Sequence, residues 1–232
     1  MAAPAFRAVS GILAVQNGTA DGTLTLPTHQ TDDILLMHVW RRSLTNTLTT
    51  PSGWTLIAGP WDGTAERHYV FGRRAASGSE TNPLLDWAAT TGDWYALCAS
   101  YSGAITSGTA WEVVGSTQQG TGSNPSLTGI TTLTAESLVV VLIGYGDNNN
   151  ATFTLTGTDP SAYTEHIAAP ATGADGTICI SEGARSTAGA TGNVAVAGLT
   201  VTAGDGWGAL VLALKPPSAD RRGVITWAEL EV

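Results

Sequence analysis

Charge is the scarcest resource in this chain: Asp, Glu, Lys and Arg make up 12% of 232 residues, about half the share of an ordinary soluble domain. A coiled coil or helix bundle needs abundant Glu, Lys and Arg on its outer faces, so neither is expected. With 43% apolar residues the chain is also no solvated disordered segment. Basic residues are fewer still. Lys215 is the only lysine, and the arginines fall as Arg41-Arg42, Arg73-Arg74, Arg221-Arg222 and singles. A net charge of −9 without a basic stripe argues against nucleic acid as a partner.

Cysteine is nearly missing. Cys98 and Cys179 lie inside apolar runs and read as two small buried hydrophobes. No apolar run reaches the ~20 residues of a membrane span, so no membrane insertion is expected; the longest, Leu138 to Ile143, is strand-sized. The opening MAAPAFRAVSG lacks a charged stretch followed by an apolar one, so no secretory signal is expected. Catalytic signatures are lacking as well: no GxSxG, no HExxH and no phosphate-cradling glycine loop. His29, His38, His68 and His166 share no metal-ligand spacing, and His38, inside an apolar strand, reads as a core histidine. Asp62, Glu66, Asp86, Asp93 and Glu112 could supply a glycosidase carboxylate pair only if the fold brought two together. The expectation is a non-enzyme without cofactor or metal.

What is present is β-structure. Glycine, 28 residues, is well above the usual ~7%. Apolar, β-branched and aromatic runs alternate with turn clusters such as NGTADG, TPSG, TTGD, GDNNN and TGTDP. The clearest strands are Asp33–Arg42, Gly53–Trp61, Glu66–Arg74, Asp93–Tyr101, Ser137–Tyr145 and Trp207–Leu214. Without any long helical period, this predicts an all-β antiparallel sandwich, jelly-roll-like. DILLMHV, SLVVVLI and ALVLAL carry continuous rather than alternating apolar residues, which requires cover on both faces, from the chain itself or from a neighbouring subunit.

Four blocks recur in order. Asp33–Trp40 parallels Ser137–Gly144, Gly53–Ile57 parallels Ala162–Ile167, His68–Arg74 parallels Ile178–Ala184, and Gly92–Ala99 parallels Asp205–Leu212. The sandwich, residues 1–216, is therefore read as two related halves, 23–104 and 127–216, sharing one core because no linker separates them. Pro216-Pro217 ends the last strand. Residues 217–232 then read as a polar linker and an apolar arm whose Val224, Ile225, Trp227, Leu230 and Val232 are candidate partner contacts, with a late strand of the same sandwich as the competing reading.

Other candidates lie at turns. Trp61 and Trp111 sit near strand ends, where an indole could stack on a glycan or cover a subunit seam, although the burial a large indole wants favours packing. Asp147, Asn148 and Asn149 offer closely spaced oxygens, with a plain turn as the competing reading.

The segments TDDILLMHVWRRS, PSGWTLIAGPW, YVFGRRAASGSE and WYALCASYSGA together resemble β-sandwich virion proteins of tailed bacteriophages, over about residues 5–216. The closing GVITWAELEV is similar to an ending found among phage tail-associated proteins. The resemblance implies a structural particle protein of tail-tip or tail-fibre type, made in the host cytoplasm and carried on the virion. It also implies partners among other virion proteins and copies of itself, most simply a trimer. Capsid decoration or head-spike protein, and a module binding a host-surface glycan, are the alternatives. No functional residue carries over from the family.

Overall fold

The structure, a computed structural model, describes residues 2–19, 21–87, 91–147, 154–170, 176–199 and 205–217. Among these there are nineteen strands and no helix. The first half supplies β1 (Ala5–Val9), β2 (Leu13–Thr19), β3 (Gly22–Thr23), β4 (Ile34–Arg41), β5 (Thr55–Asp62), β6 (Arg67–Arg74), β7 (Leu84–Leu85) and β8 (Thr91–Ser102). The connecting region supplies β9 (Trp111–Val114) and β10 (Gln118–Gly120). Then come β11 (Ser126–Leu127), β12 (Thr131–Thr132), β13 (Ser137–Tyr145), β14 (Thr154–Thr156), β15 (Thr164–Pro170), β16 (Thr177–Arg185), β17 (Gly189–Ala190), β18 (Val194–Ala197) and β19 (Trp207–Leu214).

Two six-stranded antiparallel sheets dominate. One runs β1-β8-β4-β6-β5 with β2 also on β8; the other runs β10-β19-β13-β16-β15 with β9 also on β19. The order β8-β4-β6-β5 matches β19-β13-β16-β15, with β1 answering to β9 and β2 to β10, and the registers match as well. Ile34 pairs with Arg74 and Tyr101, as Leu138 pairs with Ala184 and Leu214. Register shifts recur at equivalent points too, between Phe6 and Ala8 as between Trp111 and Val113, and after Leu56 as after Glu165. The four recurring sequence blocks thus lie on strands of corresponding position.

Alternation along each strand assigns its side chains to faces. Ile34, Leu36 and Trp40 of β4 join Leu138, Val140 and Leu142 of β13 in one core between the sheets. The facing edges are crossed as in a symmetric dimer. Phe6 of β1 stacks on His166 of β15 with centroids 3.4 Å apart, while Trp111 of β9 lies against Gly72 and Ile57 at the other edge.

The outer faces are covered by the chain itself. Leu35, Met37 and Val39 pack beneath Leu24, Leu48 and Leu85; Val139, Val141 and Ile143 pack beneath Leu127, Leu155 and Val194. Each such fully buried side chain contributes roughly 1.5–3 kcal/mol. The short pairs β3–β7 and β11–β18–β14 carry these covers. Apolar strands therefore need no neighbouring subunit: Leu44, Leu56, Leu84, Val114 and Leu133 are the large hydrophobics exposed among the described residues. Cys98 and Cys179 are free and belong to opposite outer layers, with the whole sandwich between them.

Candidate functional site

Two residues nominated from sequence as surface contacts turn out to be interior. Trp61 is 6% exposed, and its ring stacks on His68 with centroids 5.0 Å apart. Two register shifts in β5, after Leu56 and after Ala58, turn the indole inward. Asp147 is 2% exposed; its carbonyl accepts the Thr177 hydroxyl at 2.8 Å, so it closes a strand end and is no solvated turn. Trp111 is half-buried. Asn148, Asn149, Val224, Ile225, Trp227, Leu230 and Val232 lie outside the described residues.

Of the carboxylates considered for hydrolysis, Asp62, Glu66 and Glu112 are engaged separately. Asp62 accepts from Arg67 at 2.6 Å, Glu66 accepts the Gly206 amide at 2.8 Å, and Glu112 accepts the Ser137 hydroxyl at 2.8 Å. Asp86 stands exposed beside a cleft described below. Among the described residues no group of three or more His, Cys, Asp or Glu could hold a metal ion.

Between the sheets lies an ionisable pair. His38 and His68 are both fully buried, with Nε2 of the first 3.4 Å from Nδ1 of the second. Burial pushes the His38 imidazole down to about 3; burial, then the neighbouring His38, puts His68 well below its ordinary value. Both are therefore neutral. The opposite sheet makes room with Gly144 and Gly208, which pair with one another. A Cβ at Gly144 would lie 3.2 Å from the His68 ring, and one at Gly208 would collide with it. Sealed from solvent, these imidazoles can meet no substrate. They are packing groups with a titration attached.

The accessible chemistry is elsewhere, on the outer face of the first sheet. A cleft of about 730 Å³ runs between the turn 49–53 and the segment 81–86. Its floor is Arg73, which extends the outward-facing row Tyr69, Phe71 on β6. One end of the guanidinium, Nη2, is ion-paired with Glu80. Burial alone would raise the Glu80 carboxyl, but the amides of Ala76 and Ser77 and the Arg73 charge outweigh it and hold the group below the usual carboxylate range. Those amides donate to Glu80 Oε1 at 2.6 and 3.0 Å. A smaller cleft of about 270 Å³ shares Gly53 and Arg73 and continues to Trp111.

Sequence reasoning singled out Trp111 but missed Arg73, Glu80, Ser52 and Asn82. They come from three separate segments of ordinary polar composition, and only the fold collects them. No family model, no curated protein and no solved structure matches this chain.

Proposed function

We propose that this chain is a non-enzymatic structural protein of a tailed-bacteriophage particle, of tail-tip or fibre type. What carries the reading is how the sandwich uses its ionisable groups. Arg7 holds Asp33 at 2.5 Å, Arg67 holds Asp62 at 2.6 Å, and Arg185 ties Asp159 to Ala190. The histidine pair is sealed in the core. Such wiring commits these ionisable groups to holding strands and turns together as a rigid block. The resemblance along residues 5–216 supplies the particle.

Contacts with other virion proteins then fall on sheet edges and on Val224, Ile225, Trp227, Leu230 and Val232. Trimerisation would use these elements, because the outer faces are already covered. The test is mass spectrometry of purified particles of the phage encoding the chain, with immunogold labelling. Stoichiometric presence at the tail supports the reading. Label over the head would replace it with the decoration-protein alternative, and absence from particles would refute both.

A further inference from the structure

We propose that the cleft floored by Arg73 is a binding site for a neutral oligosaccharide. The two halves of the chain provide the first argument, because they supply the same scaffold twice. The place equivalent to Arg73 is Gly183, as the pairs Leu35–Arg73 and Val139–Gly183 establish. There the slot is closed. A Cβ at Gly183 would lie 2.7 Å from the Pro160 ring, the Asp159 amide donates to the Thr191 carbonyl at 3.2 Å, and Arg185 donates to the Asp159 carbonyl at 2.8 Å. In the first half the corresponding loops meet at one end, where the Thr49 amide donates to the Asp86 carbonyl at 3.0 Å, and part beyond it. About 730 Å³ lies between them, within the range of small-ligand sites.

The second argument is preorganisation. Arg73 cannot swing freely, since Nη2 is tied to Glu80 and Glu80 is fixed by two backbone amides. Among the described residues its other N–H groups have no protein partner, and its side chain is 21% exposed. Gly53 lies directly over it with φ +78°, a conformation that favours glycine; a Cβ there would sit 3.2 Å from Nη1 and cap the guanidinium.

Ligand class follows from the lining. Asn82 has its Oδ1 committed to the Leu26 amide at 3.0 Å, which leaves its NH₂ to donate. The Asp86 carboxylate accepts, and Thr50 and Ser52 do both. Such interleaving of donors and acceptors matches vicinal hydroxyls. Arg73 is offset by Glu80 and Asp86, and the net charge of −9 repels polyanions. A peptide would want apolar pockets, whereas Leu84 is the one large hydrophobic exposed along this cleft. The extension to Trp111 gives room for a further sugar unit beside an indole.

The test uses the full chain free in solution, so it can fail while the particle assignment stands, and the reverse. Amide NMR titrations are run with malto-, cello-, xylo- and N-acetylchito-oligosaccharides, and with oligogalacturonate as the acidic counterpart. At least one neutral series should saturably shift the amides of Thr50, Ser52, Gly53, Asn82 and Leu84. Asp86→Ala should weaken it about tenfold, the factor for losing a hydrogen bond to a charged group. Thr50→Trp should abolish it, with both variants melting as wild type does. The proposal is overturned if no neutral series shifts these amides at about 10 mM, if oligogalacturonate binds most tightly, or if the shifts survive Thr50→Trp.

Discussion

Acidification from about pH 7.5 to about pH 5 loads the unfolded chain with protons that the folded chain refuses. An exposed imidazole titrates near 6.5, whereas His38 folded does so at about 3, and His68 is lowered in the same direction. Between those values the unfolded state binds more protons than the native one. Stability therefore rises with pH across the window, is complete above the unfolded value, and is lost as pH falls. At pH 5 the loss is about 2 kcal/mol for each histidine, or about 4 kcal/mol for the pair. For a chain of this size that lowers the melting temperature by roughly 8–16 °C.

Carboxylates also titrate on acidification, so the measurement is comparative. Wild type and His38→Leu/His68→Leu are melted by circular dichroism at a series of pH values. Removing both rings together avoids leaving one imidazole nitrogen facing an apolar group, which would cost about 1–3 kcal/mol by itself. The double variant starts from a different stability, because leucine is not an isostere of histidine, but its slope against pH should be shallower by about 4 kcal/mol over the interval. Equal slopes would refute the reasoning, since they would mean that the pair is hydrated or protonated in the fold.

The packing makes three further predictions. Gly208→Ala drives a methyl into the His68 ring and should cost about 3 kcal/mol, whereas Gly11→Ala, with nothing within 4 Å, should stay within about 0.5 kcal/mol; urea denaturation separates them. Glu80→Ala strips the Ala76 and Ser77 amides and Arg73 of their acceptor and should cost about 2 kcal/mol, read by the same assay. Burial pushes both the Cys98 and Cys179 thiols up, so neither should react with a disulfide reagent in the native chain, and both should react in denaturant.

Much of the sandwich is legible in the sequence because long strands announce themselves. β4, β13 and β19 are predominantly apolar runs, every residue buried, and their neighbours follow the recurring blocks. The covers are not legible. β3, β7 and β11 are two residues long, too short to show a period, and they form where Leu24, just after β3, with Leu85 and Leu127 must roof an apolar sheet. Hence the sequence left open whether chain or neighbour covers those faces, and only the fold answers it. The surface reading of Trp61 fails for a local reason: bulges reset the two-residue alternation, the second of them at Gly59-Pro60, residue types that mark such irregularities in a strand. The cleft at Arg73 was illegible in a different way, since its walls are polar turns that look like any other.

The two halves share a backbone plan but have divided their side chains between them. Trp40 and Tyr95 stand paired in the first sheet with ring centroids 5.0 Å apart; the equivalent places in the second are Gly144 and Gly208, also paired. Bulk on one sheet is matched by a hollow on the other, and the space that those glycines leave is occupied by Trp40, His38 and His68. Two copies of the first sheet would collide at this point, and two copies of the second would leave a void, either of which costs several kcal/mol. The core is thus built for the pairing of unlike halves. The same division reaches the surface, where one half seals its slot with Pro160, Asp159 and Arg185 and the other keeps it open over Arg73. One half has been committed to closure, and the other is free to hold a ligand.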